Sequence, residues 1–250
     1  MTGIIVIHDI GRDLLDLRLA NWSGWFDNFE FVVPADSVPT NMPGTVYSLG
    51  ASCRGGRPQL ERMRMACKLA ARHDQAVIVQ FDTLLFGKPV IPVKGIIAAG
   101  FVLKKSDEVL PKGWLAGLGK DTSRRIPENW WTSHVSDWFS HSPWICAQED
   151  YAALSRIDVD IEKDWIDRWL AAACDICGIV PLWIPKSFSR DEDWDHMPGN
   201  YSPPGGPLHN RPFIEQAMHA VLQGAQTVHG AKSVVHVQQL LEARRKFEAT

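Results

Sequence analysis

The stretch Ala76–Gly87, AVIVQFDTLLFG, decides the fold. Ala76 to Phe81 is a short apolar run interrupted only by Gln80, the pattern of a strand buried on both faces, and it ends on a carboxylate, Asp82. A core strand can end on an acid without penalty where the acid reaches a rim and meets water or a cation instead of apolar side chains.

The segments upstream supply such a rim. Ile4–His8 (IIVIH) is a second continuous apolar run, followed by the mixed helical pattern LLDLRLANWSGWF. Phe29–Pro34 and Thr45–Leu49 read as further strands, and Gln59–Arg72 has helical spacing with strong helix formers. Strands alternating with helices predict an α/β sheet with parallel strands, whose ligands lie beyond the carboxyl ends of the strands. Asp82 then shares an edge with His8 and Asp9 after the first strand and Asp36 after the second.

Downstream, Gly95–Leu103 reads as a strand, and a polar, tryptophan-bearing segment runs from Lys104 to Trp144. PWICAQEDYAALS is expected to be a strand or strand-loop, and IEKDWIDRWLAAACDICG a helix capped at Gly178. IVPLWIP reads as a strand, Ser187–Pro212 as a long loop and RPFIEQAMHAVLQGA as a helix. VHGAKS reads as a loop and VVHVQQLLEARRKF as a terminal helix. No internal repeat or low-complexity linker interrupts the 250 residues.

A formal net charge of -3, with 45% hydrophobic and 22% charged residues, gives no general attraction to nucleic acid or anionic lipid. Such a partner requires a local patch. No segment reaches membrane-spanning length and no charged leader precedes an apolar run, so a soluble, cytoplasmic protein is expected. Five cysteines, an odd number, fit reduced thiols. Cys174 and Cys177 form a CxxC inside an apolar helical pattern, where core packing is favoured over metal or redox chemistry.

Three motifs resemble those of a GT-A fold glycosyltransferase: Asp82 in QFDT at a strand end, His229 in VHGAKS with Gly230 and Lys232 behind it, and a helix bearing Asp164 and Asp167 that runs to Gly178. The resemblance implies a Rossmann-like mixed α/β sheet flanked by helices, in one compact domain. It divides the chain into a nucleotide-sugar-binding lobe (1–94) and an abutting acceptor-binding and catalytic lobe (95–250). It implies Asp82 and His229 as ligands of a divalent cation, Mn or Mg, with Lys232 on the diphosphate. The family's acidic motif is usually DxD, and here Gln80 and Leu84 leave Asp82 alone.

Independently of the resemblance, a hard cation wants oxygen ligands and phosphates, with imidazole better tolerated by Mn, and it offsets charge on a leaving diphosphate. The plainer roles are a turn-capping carboxylate for Asp82 and a loop histidine bonded to backbone for His229. GASCRGGRP places Arg54 and Arg57 before a helix, where they suit a diphosphate, yet it matches neither a Walker loop nor a dinucleotide fingerprint. In the family pattern this region and Asp36 contact the nucleoside, whereas Asp36 also suits a turn initiator.

For the base that deprotonates the acceptor, the resemblance implies Asp167, with Glu149 and Asp150 as rivals. Asp164 and Asp167 also suit a solvated helix face. Eleven tryptophans are many for this length. Several fall with lysines and arginines between Lys104 and Trp144, which suits sugar stacking, contact with DNA carrying a hydroxylated base, or the edge of a core. The expected function is transfer of a sugar from a nucleotide-diphosphate sugar, UDP-sugar favoured, to an acceptor hydroxyl. The alternatives are a sugar nucleotidyltransferase, which would need a GxGTR-like loop that HDIGRD does not supply, and a non-catalytic nucleotide- or sugar-binding protein.

Overall fold

Alternation within the apolar strands dictates a sheet covered on both sides. In β1 (Thr2–Val6), Ile4 and Val6 enter one buried cluster while Ile5 enters another. In β4 (Ala76–Gln80), Ala76 and Ile78 join the first cluster, and Val77 and Val79 the second. Period-2 side chains on a doubly buried strand require this division, and each aliphatic side chain so buried contributes about 1.5–3 kcal/mol.

The computed structural model describes residues 1–7, 12–52, 56–101, 140–158, 166–179, 181–183, 187–189 and 213–249. The elements continue with α1 (Arg12–Trp22), β2 (Asn28–Val33), β3 (Thr45–Ser48), α2 (Gly56–Ala70), β5 (Thr83–Leu85), β6 (Ile96–Phe101), β7 (Ser140–Cys146) and α3 (Gln148–Leu154). They end with α4 (Ile166–Cys177), β8 (Pro181–Trp183), β9 (Ser187–Ser189), α5 (Phe213–Leu222), β10 (Thr227–His229) and α6 (Val234–Glu248).

A seven-stranded mixed sheet has the order β3-β2-β1-β4-β7-β6-β8. The pairs β3–β2, β2–β1 and β1–β4 are parallel, as the βαβ alternation predicts, whereas β7 is antiparallel to both β4 and β6. Residues from α2, α3 and α4 cover one face, with Leu60, Met63, Leu154, Trp169 and Leu170 in its core. Residues from α1, α5 and α6 cover the other, with Trp22, Ala217, Val221 and Leu240. On that second side, β5, β10 and β9 form a separate three-stranded sheet in which β10 is central.

Several expectations change. AQEDYAALS is helix α3, entered at Ala147 with Glu149 and Asp150 in its first turn, where acids favour the helix dipole. The expected loops at Ser187 and Val228 contain β9 and β10, three-residue strands too short for periodicity to reveal. The boundary at 94/95 falls between β5 and β6, and strands from both sides of it join in each sheet.

Gly178 follows α4 at φ +66, the left-handed conformation of a helix-terminating glycine, and Ile179 N–H closes back on the Cys174 carbonyl at 2.8 Å. Cys67, Cys146 and Cys174 lie in the first core, where burial pushes the Cys67 thiol up to about 12 and that of Cys146 well above its ordinary value. Among the described residues no helix is long and apolar enough to cross a membrane.

Candidate functional site

Asp82 leaves β4 at the carboxyl edge of the parallel strands, and the chain turns at once into β5. Antiparallel pairing of β5 with β10 sets His229 opposite Thr83. The Asp82 carbonyl accepts the Gly230 and Ala231 N–H groups at 3.0 and 3.1 Å, so the 229–232 turn is fastened to the residue that ends β4. Gly230 stands at φ +94, which a side-chain-bearing residue rarely adopts.

This pairing brings three predicted residues together. His229 Nδ1 lies 3.5 Å from Asp82 Oδ1 and 3.0 Å from Thr83 Oγ1, and Lys232 Nζ lies 3.9 Å from Asp82 Oδ2. The carboxylate is 22% exposed, while Lys232 reaches solvent at 63%. Immediately beyond Lys232, Ser233 caps α6, its hydroxyl accepting the His236 N–H at 3.2 Å. The positive end of a 15-residue helix therefore starts beside the turn.

A fourth residue, Arg18, was not foreseen. It lies in α1 among Leu14, Leu15, Leu17 and Leu19, and its guanidinium is fully buried over the Phe81 ring, 5.1 Å from the centroid. Nη2 donates to the Ala231 carbonyl, whereas Nε and Nη1 have no hydrogen-bond partner among the described residues. Burial lowers its pKa to about 10, opposed by the Asp82 charge, so it remains a cation at neutral pH. A charged residue within a leucine-rich helical run was the available signal. Burial alone would raise the Asp82 pKa; His229, Lys232 and Arg18 together hold it below its ordinary value.

The back of this turn is held from the end of α1 and the turn that follows it. Trp22 Nε1 donates to the Thr83 carbonyl at 3.1 Å, and Trp25 Nε1 to the Leu85 carbonyl at 3.1 Å. Asn21 takes the Leu85 N–H at 2.9 Å and returns a bond to its carbonyl at 2.8 Å. The outer edge of β5 is thus satisfied by side chains where a further strand would otherwise pair.

The remaining predicted residues are dispersed. Asp36 follows β2 on the same carboxyl edge, but both its oxygens accept the Ser52 N–H at 2.9 Å and Oδ1 the Ser52 hydroxyl at 2.7 Å. It ties together the loops after β2 and β3, and those bonds lower its pKa. Arg57 pairs with Asp158 at 2.8 Å and Glu61 at 3.1 Å. Glu149 and Asp150 lie near the opposite edge: in the same helix, the Tyr151 hydroxyl donates to the Trp144 carbonyl at 2.7 Å and lies 3.3 Å from the Ala76 carbonyl at the start of β4.

Asp150 is buried, and its Oδ2 accepts the Gly95 N–H at 2.9 Å, a structural use of a carboxylate. The structure therefore does not group Glu149 or Asp150 with Asp82. His8, Asp9, Arg54 and the Lys104–Trp131 segment lie outside the described residues. Asp167 falls within α4, but its side chain is likewise outside them.

Among the described residues, the donors at Asp82 do not fit a hard divalent cation. Mn and Mg take about six ligands, mostly oxygen. Here one carboxylate and one imidazole stand beside an ammonium and a guanidinium, each of which repels a cation. Among the described residues no group of three His, Cys, Asp or Glu side chains could hold a metal ion. No protein-family model and no curated protein matches the chain.

Proposed function

We propose that the protein is a glycosyltransferase with a GT-A-like sheet, transferring a sugar from a nucleotide-diphosphate sugar, UDP-sugar favoured, to an acceptor hydroxyl. The observation that carries this reading is the meeting of Asp82, at the carboxyl end of β4, with His229 and Lys232, about 150 residues later, across the β5–β10 pair. Positive groups fixed where a diphosphate departs stabilise the charge that develops as the bond to the sugar breaks. Lys232, on an exposed flexible stem, is the group that reaches the phosphates. Asp167 is the proposed base for the acceptor hydroxyl, and the Lys104–Trp131 segment the proposed face for a polymeric acceptor such as DNA.

A panel of sugar nucleotides assayed for slow hydrolysis, with and without Mn, tests the reading without a known acceptor. Release of a nucleoside diphosphate from at least one member, lost in Lys232→Ala, is expected. No release from any member would overturn it. Asp167→Asn should lose turnover while keeping donor binding. A second reading, a nucleotide-binding protein without catalysis, is favoured by the position of Glu149 and Asp150 away from the cluster and by the structural bond of Asp150 to Gly95.

A further inference from the structure

We infer that the Asp82 turn is an anion seat, built to receive a diphosphate without a divalent cation. The inference deepens the reading above, from which it takes the diphosphate.

Three features converge on it. The first is the charge balance: among the described residues one carboxylate faces Lys232 and Arg18, a surplus of positive charge even with His229 neutral. A cation added there meets net repulsion, and an anion net attraction. The second is backbone: the Gly230 and Ala231 amides are committed to the Asp82 carbonyl, which fixes the turn so that α6 begins just after Lys232. Helix N-termini favour anions through their unpaired N–H groups and dipole.

The third feature is Arg18. A fully buried guanidinium with two unpartnered N–H-bearing nitrogens is costly unless something compensates it. Its one hydrogen bond among the described residues goes to the Ala231 carbonyl, inside the turn, and the Asp82 charge acts on it directly. Arg18 is thus a buried positive charge behind the seat, while Lys232 closes it from the solvent side. Asp82 acts in this arrangement as a positioning residue: its carbonyl holds the turn, and its carboxylate occupies the cations until a stronger anion displaces it.

Asp82→Asn separates the alternatives by sign. The variant keeps the backbone carbonyl and side-chain shape but removes the negative charge. Titration calorimetry with inorganic pyrophosphate, on full-length protein stripped with EDTA, is the measurement, with circular dichroism to check that each variant is folded. The wild-type protein should bind in EDTA, Asp82→Asn should bind about threefold to tenfold tighter, and Lys232→Ala about tenfold weaker. Mn in excess over EDTA, which complexes pyrophosphate and lowers its negative charge, should leave wild-type binding no tighter.

Binding that appears only with Mn, or that Asp82→Asn weakens, would overturn the anion seat and restore the carboxylate as a metal ligand. The sugar-nucleotide panel fails separately: pyrophosphate binding in EDTA without hydrolysis of any sugar nucleotide supports the seat and removes the transferase. Hydrolysis that requires Mn, with no pyrophosphate binding in EDTA, does the reverse.

Discussion

Arg18 and Arg62 are both fully buried, one on each side of the same sheet, and their surroundings differ. Arg62, in α2, donates from Nη1 to the Leu49 and Ala51 carbonyls at 3.1 and 2.9 Å and pins the loop after β3. Arg18, in α1, bonds a single carbonyl among the described residues and leaves Nε and Nη1 unpartnered there, next to the Asp82 turn. A buried cation whose donors close a loop is explained by folding. One whose donors are left open beside a carboxylate, a lysine and a helix N-terminus is not, and stability is the wrong quantity on which to judge it.

Substitution at the two arginines sharpens the contrast. Arg62→Ala should have the largest effect on the fold, losing about 3 kcal/mol as a fully buried side chain is removed and two part-buried loop carbonyls lose a charged donor. Urea denaturation measures it, and pyrophosphate binding in the folded variant should be unchanged. Arg18→Met, which keeps an apolar stem over Phe81, should cost only about 1 kcal/mol, because a buried charge and its unmet donors leave together. It should nevertheless weaken pyrophosphate binding. A loss at Arg18 equal to that at Arg62, with binding intact, would make both arginines structural and dissolve the comparison.

The smallest expected effect is in acid. Asp82 is held below its ordinary pKa in the folded protein, so its ionisation stabilises the fold above the unfolded value of about 3.9 and is lost as pH falls through the depressed folded value. The melting temperatures of wild type and Asp82→Asn should therefore converge as pH is lowered from about 5 to about 2. On the opposite face the sign reverses. Burial raises Cys67 to about 12, so its contribution is complete below the unfolded thiol value and is lost as pH climbs from about 9 toward that figure. A melting temperature that stays flat across the alkaline range would show that this thiol ionises without unfolding.

The sheet was legible in the sequence because doubly buried strands leave continuous apolar runs: Ile4–Val6, Phe31–Val33 and Ala76–Val79 all lie in strands, although β1 begins two residues before the expected Ile4 and ends at Val6. Asp82 was legible through residue type and position at a strand end, and its grouping with His229 and Lys232 through the resemblance to the GT-A family. The means of bringing them together was not. β5 and β10 are three residues each, below the length at which alternation carries a signal, and their pairing is wholly long-range. α3 was obscured because PWIC, which belongs to β7, joins it almost without a break. Arg18 was hidden for the opposite reason: an arginine in a helix ordinarily faces solvent, and only the tertiary fold buries this one.

The clamp of Asn21, Trp22 and Trp25 on β5 has a consequence for isotope labelling. The Leu85 amide donates to the Asn21 side chain, not to a neighbouring strand, so opening the small sheet does not release it. Its deuterium uptake should follow the detachment of α1, making one amide on a three-residue strand a reporter for the helix that carries Arg18.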